Sequence, residues 1–439
     1  MRTLLFVLFA LGLAACATAP RTPVAAQHPA PLPFAQDDYP AALAEARARG
    51  VPLFVDAWAP WCHTCVSMHA YVFGDERLRP LADRFVWLSI DTEKEENAAF
   101  LARWPQQVWP TLLVIEPREE RAVLRWLGSA TVDQLEALLA DGERAAKGGV
   151  EGVDALLARA DRLYGEGDAA GAAAVLEEAL AQAPDGWPRR ARAVESLLFA
   201  WRFGAAKNPA PCARVAAEEL ERLERSPSWA NIASLGLSCA MLSGDGARTA
   251  ALEARAREAL AIETAADDRS GLYDGLVQAR KAAGDEEGMR RTAAAWLTFL
   301  EEQAALAPTP AARAVFDSHR MIAAFLLGQP ERVAPALEKS ERDLPRDYNA
   351  PARLAVVYSK MGRLDDALAA SDRALRLVYG PRKMRVLNER GDLLLERGDR
   401  EAARAAFAEV LRIGGALPEP QRFRHEVERA ERQLASLAK

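Results

Sequence analysis

The chain of 439 residues carries 56 basic and 62 acidic side chains, a net charge of −6, and five cysteines; half of its residues are apolar and 7% are aromatic. At about 150 residues per domain this length predicts two or three domains with cores large enough to need no staple, and the charge balance supplies no chain-wide basic field to hold nucleic acid. A mean hydropathy of −0.13 reads as soluble, helix-rich and globular rather than polytopic or disordered, and five cysteines are too few for a disulfide scaffold.

The N-terminus opens on Met1-Arg2-Thr3 and an apolar run from Leu4 to Leu13, a basic flank and a hydrophobic stretch well short of the ~20 residues that span a bilayer. Leu13-Ala14-Ala15-Cys16 resembles the lipobox of bacterial lipoproteins. That resemblance implies removal of residues 1–15 as a signal peptide and lipidation of Cys16; an ordinary signal peptide is the alternative. Buried acyl chains contribute ~0.8 kcal/mol per CH₂, so two or three of them anchor firmly. Ala17 rather than an aspartate follows Cys16, which in the enteric sorting pattern favours the outer membrane. The Ala- and Pro-rich residues 16–38 read as the lipid anchor and a flexible linker.

Residues 39–145 alternate strand and helix patterns. A helix is expected over Ala41 to Arg49, a strand over Pro52 to Trp58, a helix from Cys62, a strand over Phe85 to Ile90 and a helix over Glu95 to Trp104. Strands at Thr111 to Ile115 and Ala122 to Trp126 follow, then a helix capped by Thr131, which together predict a small sheet with helices on both faces. At one strand-to-helix junction stands Cys62-His63-Thr64-Cys65. A cysteine at a helix N-terminus feels the unpaired N–H groups and the positive end of the dipole, which stabilise its thiolate. Cys62 is therefore the expected nucleophile, and Cys65, one turn along, the thiol that resolves a mixed disulfide. A metal at Cys62, Cys65 and His69 is the weighed alternative; a single C-x-x-C without a second distant ligand pair does not close a zinc site, so no metal and no cofactor beyond the cysteine pair is expected.

These residues resemble the thioredoxin superfamily over about a hundred positions, and within it the C-terminal periplasmic domain of the DsbD disulfide-interchange family, through Ala42-Leu43-Ala44-Glu45-Ala46, Gly50-Val51-Pro52 and Val72-Phe73-Gly74-Asp75. The resemblance implies a thioredoxin-like α/β fold in which Asp56, buried beneath the pair, relays protons to and from Cys65. It also implies a substrate seat built from Trp61, His63, Thr64 and the loop Trp109-Pro110-Thr111, whose proline is cis, with Gly128 ending the last strand. The His63-Thr64 dipeptide and Val66 depart from the thioredoxin pattern, and a histidine between the cysteines stabilises the thiolate; the direction of electron flow stays open.

From residue 150 to 439 the strand patterns stop and alanine-rich helical hairpins recur. Small turns at Gly167-Asp168, Gly204, Gly244-Asp245, Gly284-Asp285, Gly328, Gly362 and Gly398-Asp399 lie 34 to 44 residues apart, around the ~34 of a tetratricopeptide unit. Ala160, Ala172 and Leu176 in the first unit, and Gly391, Leu394, Ala403 and Phe407 in the last, resemble tetratricopeptide repeats; the units between Gly204 and Gly284 match less well. The resemblance implies an all-α solenoid that takes a protein or peptide ligand, closed by a helix over Phe423 to Leu437. Cys212 and Cys239 fall on adjacent antiparallel helices at similar heights, so a disulfide and two buried free thiols are both open.

The expected protein is thus a lipid-anchored thiol:disulfide oxidoreductase on the periplasmic side of a bacterial membrane. It would act on protein thiols and disulfides, with helical repeats for partner binding and no nucleic-acid partner. The alternative is an envelope scaffold in which the thioredoxin-like part is a binding or redox-sensing module.

Overall fold

In the computed structural model of the chain, residues 31–204 and 207–438 are described; the predicted signal and Cys16 lie outside them. Five strands form one sheet in the order β1-β3-β2-β4-β5. β2 (Leu53–Trp58) runs parallel to β3 (Val86–Asp91) and antiparallel to β4 (Thr111–Glu116), which pairs antiparallel with β5 (Arg121–Leu127). β2, β3 and β4 are buried almost throughout, as apolar strands covered on both faces must be. Period-2 alternation sends Leu53, Val55, Ala57, Leu88 and Ile90 to a layer with α1 (Tyr39–Arg49) and α3 (Ala98–Arg103). Phe54, Trp87, Leu112 and Val114 face α2 (His63–Tyr71) and α4 (Val132–Ala146) on the other side. α4 begins in a capping box in which Thr131 and Gln134 satisfy each other's backbone N–H.

The flexible linker was expected to extend to Asp38, and its last residues are instead part of the domain. Leu32 is buried, Phe34 packs against Phe54, Phe73 and Trp87, and β1 (Ala35–Gln36) adds a parallel edge to β3. Asp37 then accepts hydrogen bonds from the Asp91 N–H at 2.8 Å and Asn97 Nδ2 at 2.7 Å. Two residues of strand show no periodicity, so an Ala- and Pro-rich context hides them. A 3₁₀ segment over Glu76–Arg84 was likewise not anticipated.

Beyond α4 the chain is helical. Seven hairpins follow: α5 (Gly152–Gly165) with α6 (Ala169–Gln182), α7 (Arg190–Phe203) with α8 (Pro209–Leu220), α9 (Pro227–Ser243) with α10 (Gly246–Ala259), and α11 (Ala266–Ala282) with α12 (Glu286–Leu306). After the short α13 (Pro310–Ala314) come α14 (Asp317–Leu327) with α15 (Ala334–Asp343), α16 (Asn349–Lys360) with α17 (Leu364–Leu377), and α18 (Arg382–Glu396) with α19 (Arg400–Ala416); α20 (Arg424–Leu437) closes the stack. The Gly-Asp turns have a plain cause. Gly167, Gly244, Gly284 and Gly398 take positive φ, which favours glycine, and the aspartate after each caps the next helix by accepting its N–H. Cys212 on α8 and Cys239 on α9 are joined in a disulfide, Cα atoms 5.9 Å apart.

From Pro31 on, both parts form one compact unit. Inner helices of the hairpins reach the thioredoxin-like head, mostly through polar contacts. Arg125 on β5 donates to the Tyr164 carbonyl of α5 at 2.7 Å, Gln134 of α4 to Ser228 of α9 at 3.0 Å, and Tyr71 of α2 to the Ala312 carbonyl of α13 at 3.1 Å. α11, α16 and α18 touch the loops around Cys62, as described below, and α7 brings Phe199 against Gly128. The solenoid is therefore curled around the head, and its inner surface is covered by the chain's own first domain.

Candidate active site

β2 ends at Trp58, and Ala59-Pro60-Trp61 turn the chain so that Cys62 becomes the N-cap of α2. Its Sγ accepts the N–H of Cys65 at 3.1 Å, the free helix donor that stabilises charge on sulfur. The two cysteines are joined, Cα atoms 5.2 Å apart. Cys62 is 5% exposed and Cys65 fully buried, an asymmetry that leaves the first sulfur as the one a partner meets. Trp58, Trp61 and Trp109 pack around the pair. The Trp109–Pro110 bond is cis, its loop held by Thr111 Oγ1 donating to the Val108 carbonyl at 2.7 Å and by the Gly128 N–H donating to the Pro110 carbonyl at 2.9 Å.

Beneath the pair Asp56 is fully buried on β2. Its Oδ2 is hydrogen-bonded to His69 Nε2 at 2.6 Å, and its Oδ1 has no partner among the described residues. His69, which lies on α2 two turns from Cys62, thus links the buried Asp56 to the surface. The metal alternative at Cys62, Cys65 and His69 does not assemble, because the histidine is turned to Asp56 and the sulfurs are bonded to each other.

The solenoid supplies the rest of the site. Asp267, buried in the first turn of α11, stands 2.7 Å from His63 Nδ1. Burial opposes charge on His63, yet the Asp267 carboxylate holds its pKa above the usual imidazole range. Burial likewise works against ionised Asp267, and the charge of His63 keeps its pKa below the carboxylate range. Thr64 lies alongside, 3.4 Å from the same imidazole. Asp268, the next residue, is hydrogen-bonded to Ser129. On the other side Asn349 of α16 donates to the Pro60 carbonyl at 2.9 Å. Trp61 Nε1 donates to Glu93 at 2.8 Å, and Glu93 accepts the Arg382 N–H of α18 at 2.7 Å. Burial pushes the Glu93 carboxyl up to about 7. Tyr379 bonds Asp91, and Gln421 donates to the Thr92 and Lys94 carbonyls at 3.0 and 2.7 Å.

Two clefts flank the pair, each with one wall from either domain. One, of about 540 Å³, lies between Trp58, Trp61 and His63 and the Tyr348, Asn349 and Arg353 side. The other, of about 230 Å³, lies between Thr64, Trp109 and Gly128 and the Phe199, Asn231 and Asp267 side. All the residues predicted for catalysis and substrate contact, Asp56, Trp61 to Cys65 and Trp109 to Thr111, converge here. Glu93, Asp267, His319 of α14, whose ring centroid lies 4.1 Å from that of His63, and the bonding of His69 to Asp56 were not foreseen. The acidic pair at 267–268 reads only as charge in a helix's first turn, and no local pattern ties it to a loop 204 residues earlier.

A thioredoxin-like family profile matches residues 34–117 and a tetratricopeptide-repeat profile residues 348–414. The thiol:disulfide interchange protein DsbD of Pseudoalteromonas atlantica is 32% identical over 82 residues, 18% of this chain and 14% of that one. Chloroplastic thioredoxin M4 of Arabidopsis thaliana is 31% identical over 71 residues, 16% of this chain and 35% of that one. The chain thus spans about a seventh and about a third of these curated relatives. Among solved structures, a tetratricopeptide repeat protein of Parabacteroides merdae aligns with 64% of this chain and 98% of its own at 14% identity and a TM-score of 0.41. YrrB, described as a TPR protein with an unusual peptide-binding site, aligns with 50% of this chain and 99% of its own at 15% identity and a TM-score of 0.29. The chain carries a thioredoxin-like domain, homologous to DsbD and thioredoxin, followed by a solenoid of tetratricopeptide-like hairpins.

Proposed function

We propose that the chain is a thiol:disulfide oxidoreductase, held through Cys16 at the periplasmic side of a bacterial membrane and acting on protein thiols and disulfides. The observation that carries this reading is Cys62 at the helix N-cap, bonded to Cys65 above the buried Asp56 and its partner His69. In the reductive direction the Cys62 thiolate attacks a substrate disulfide, one substrate sulfur leaves as a thiolate and takes a proton, and a mixed disulfide remains. Cys65 then loses its proton toward Asp56 and attacks Cys62 Sγ, and the second substrate sulfur leaves and is protonated. The enzyme ends as the Cys62–Cys65 disulfide, and two electrons and two protons have passed to the substrate; an oxidised enzyme meeting a dithiol runs the same steps backward. Trp61, His63, Thr64 and Trp109 border the clefts through which a partner reaches Cys62, and Pro110 and Thr111 would hold Trp109 in place.

The scaffold alternative loses ground because the inner helices of the repeats are engaged with the head, so a partner on the repeats has to use the outer or edge surfaces. The test is turnover. The full chain with dithiothreitol as reductant is expected to accelerate insulin disulfide reduction, and Cys62→Ser and Cys65→Ser each to lower the rate at least about 100-fold. Equal rates in wild type and the double serine variant would leave the scaffold reading.

A further inference from the structure

A second cluster of ligand-type side chains sits where head and solenoid meet, and it shares only His63 with the exchange site. His63 of α2, Asp267 of α11 and His319 of α14 each offer one ligand atom, and these atoms lie within 4.8 Å of one another. No other trio of this kind occurs among the described residues. We propose that His63, Asp267 and His319 form a binding site for a divalent transition metal of the zinc class, with one ligand from the head and two from the solenoid.

The donor set fits. Two imidazoles and one carboxylate with a remaining open position are what catalytic zinc and non-haem iron sites use. Ligand bonds of about 2.0–2.2 Å put tetrahedral donors roughly 3.3 Å apart. His63 Nδ1 and Asp267 Oδ1, at 2.7 Å, are already inside that spacing, and a metal would take the place of the proton they share. The His63 side chain is 31% exposed, and its ring centroid lies 4.1 Å from that of His319.

The surroundings resemble a prepared outer shell. His319 is buried and its Nδ1 lies 2.6 Å from Ser270 Oγ, which also accepts from Trp296 Nε1 at 2.7 Å. Ser270 is fully buried. With Nδ1–H donated to Ser270, the lone pair of Nε2 is left for a cation, the arrangement by which metal-binding histidines are oriented. Asp268 and Asp274 of α11 add carboxylates near His63. Arg353 of α16 bears on both histidines with positive charge, and the carboxylates have to outweigh it. A cation there would pin α11 and α14 to the turn that carries Cys62.

The test is zinc binding by the full chain, stripped with chelator and kept oxidised so that Cys62 and Cys65 offer no thiolate, in competition with a chromophoric chelator. One zinc per chain is expected. Asp267→Asn, His319→Ala and His63→Ala should each weaken it about 100-fold or more, Ser270→Ala about 10- to 100-fold, and His425→Ala, exposed on α20, should leave it unchanged. Cobalt should give the visible spectrum of a four- or five-coordinate site in wild type only. If Asp267→Asn or His319→Ala fails to fold, His63→Ala decides, since its partly exposed ring is in none of the hydrophobic cores. Wild-type binding no tighter than that of His63→Ala would overturn the site, whether or not the chain turns over disulfides.

Discussion

Glu93 holds Trp61 with one oxygen and the backbone of α18 with the other, and burial has moved it from an ordinary 4.5 to about 7. A carboxyl whose pKa is raised on folding is one the fold prefers protonated. Its contribution is complete below pH 4.5 and lost as the pH climbs through 7. Urea unfolding at pH 5 and pH 8 should therefore show a difference smaller by about 2–3 kcal/mol in Glu93→Gln than in wild type; an unchanged difference would mean Glu93 is ionised in the fold. Asp56→Asn keeps the bond to His69 feasible yet removes the proton acceptor, so the resolving step should slow about 10- to 100-fold, read as accumulation of mixed disulfide in stopped reactions. At this scale the sequence is informative where chemistry is local. Cys62, Cys65 and Pro110 announce themselves by spacing and neighbours, whereas Glu93 and Asp267 acquire meaning from partners on other elements, the most distant 289 and 204 positions away.

The elements show the same division. The Gly-Asp turns were legible because one residue supplies positive φ and the next a cap, a two-residue code that needs no distant partner. The strand at Ala35–Gln36 was not, because its stability comes from β3 and from aromatic neighbours of Phe34 rather than from its own residues. Between α8 and α9 the Cys212–Cys239 bond closes a loop with sequence separation 27. Cross-linking a loop of that size restricts the unfolded chain by about 3–4 kcal/mol. The double serine variant should lose about that much in denaturant unfolding, and an equal loss when wild type is reduced would attribute the effect to the bond rather than to the substitution.

For the whole molecule, what sequence patterns could not convey is that the repeats close upon the head. Hydrophobic periodicity identifies which face of a helix is covered, not what covers it, so the inner face of the solenoid reads alike whether a foreign peptide or the chain's own domain fills it. Gly380 marks how close the approach is: its φ is +58°, and a Cβ there would stand 2.0 Å from the Glu93 carbonyl oxygen. Gly380→Ala should cost about 2 kcal/mol or more and raise the alkylation rate of reduced Cys62 as the roof over the site loosens; an unchanged rate would mean the solenoid does not limit access.

The central claim is that Cys62 exchanges disulfides with partners that enter between head and solenoid, and trapping tests it most directly. Cys65→Ser, expressed in a bacterial envelope and resolved on non-reducing gels, should accumulate mixed disulfides that reductant releases, with none in Cys62→Ser. Absence of trapped partners in Cys65→Ser, or equal trapping in both variants, would contradict the account.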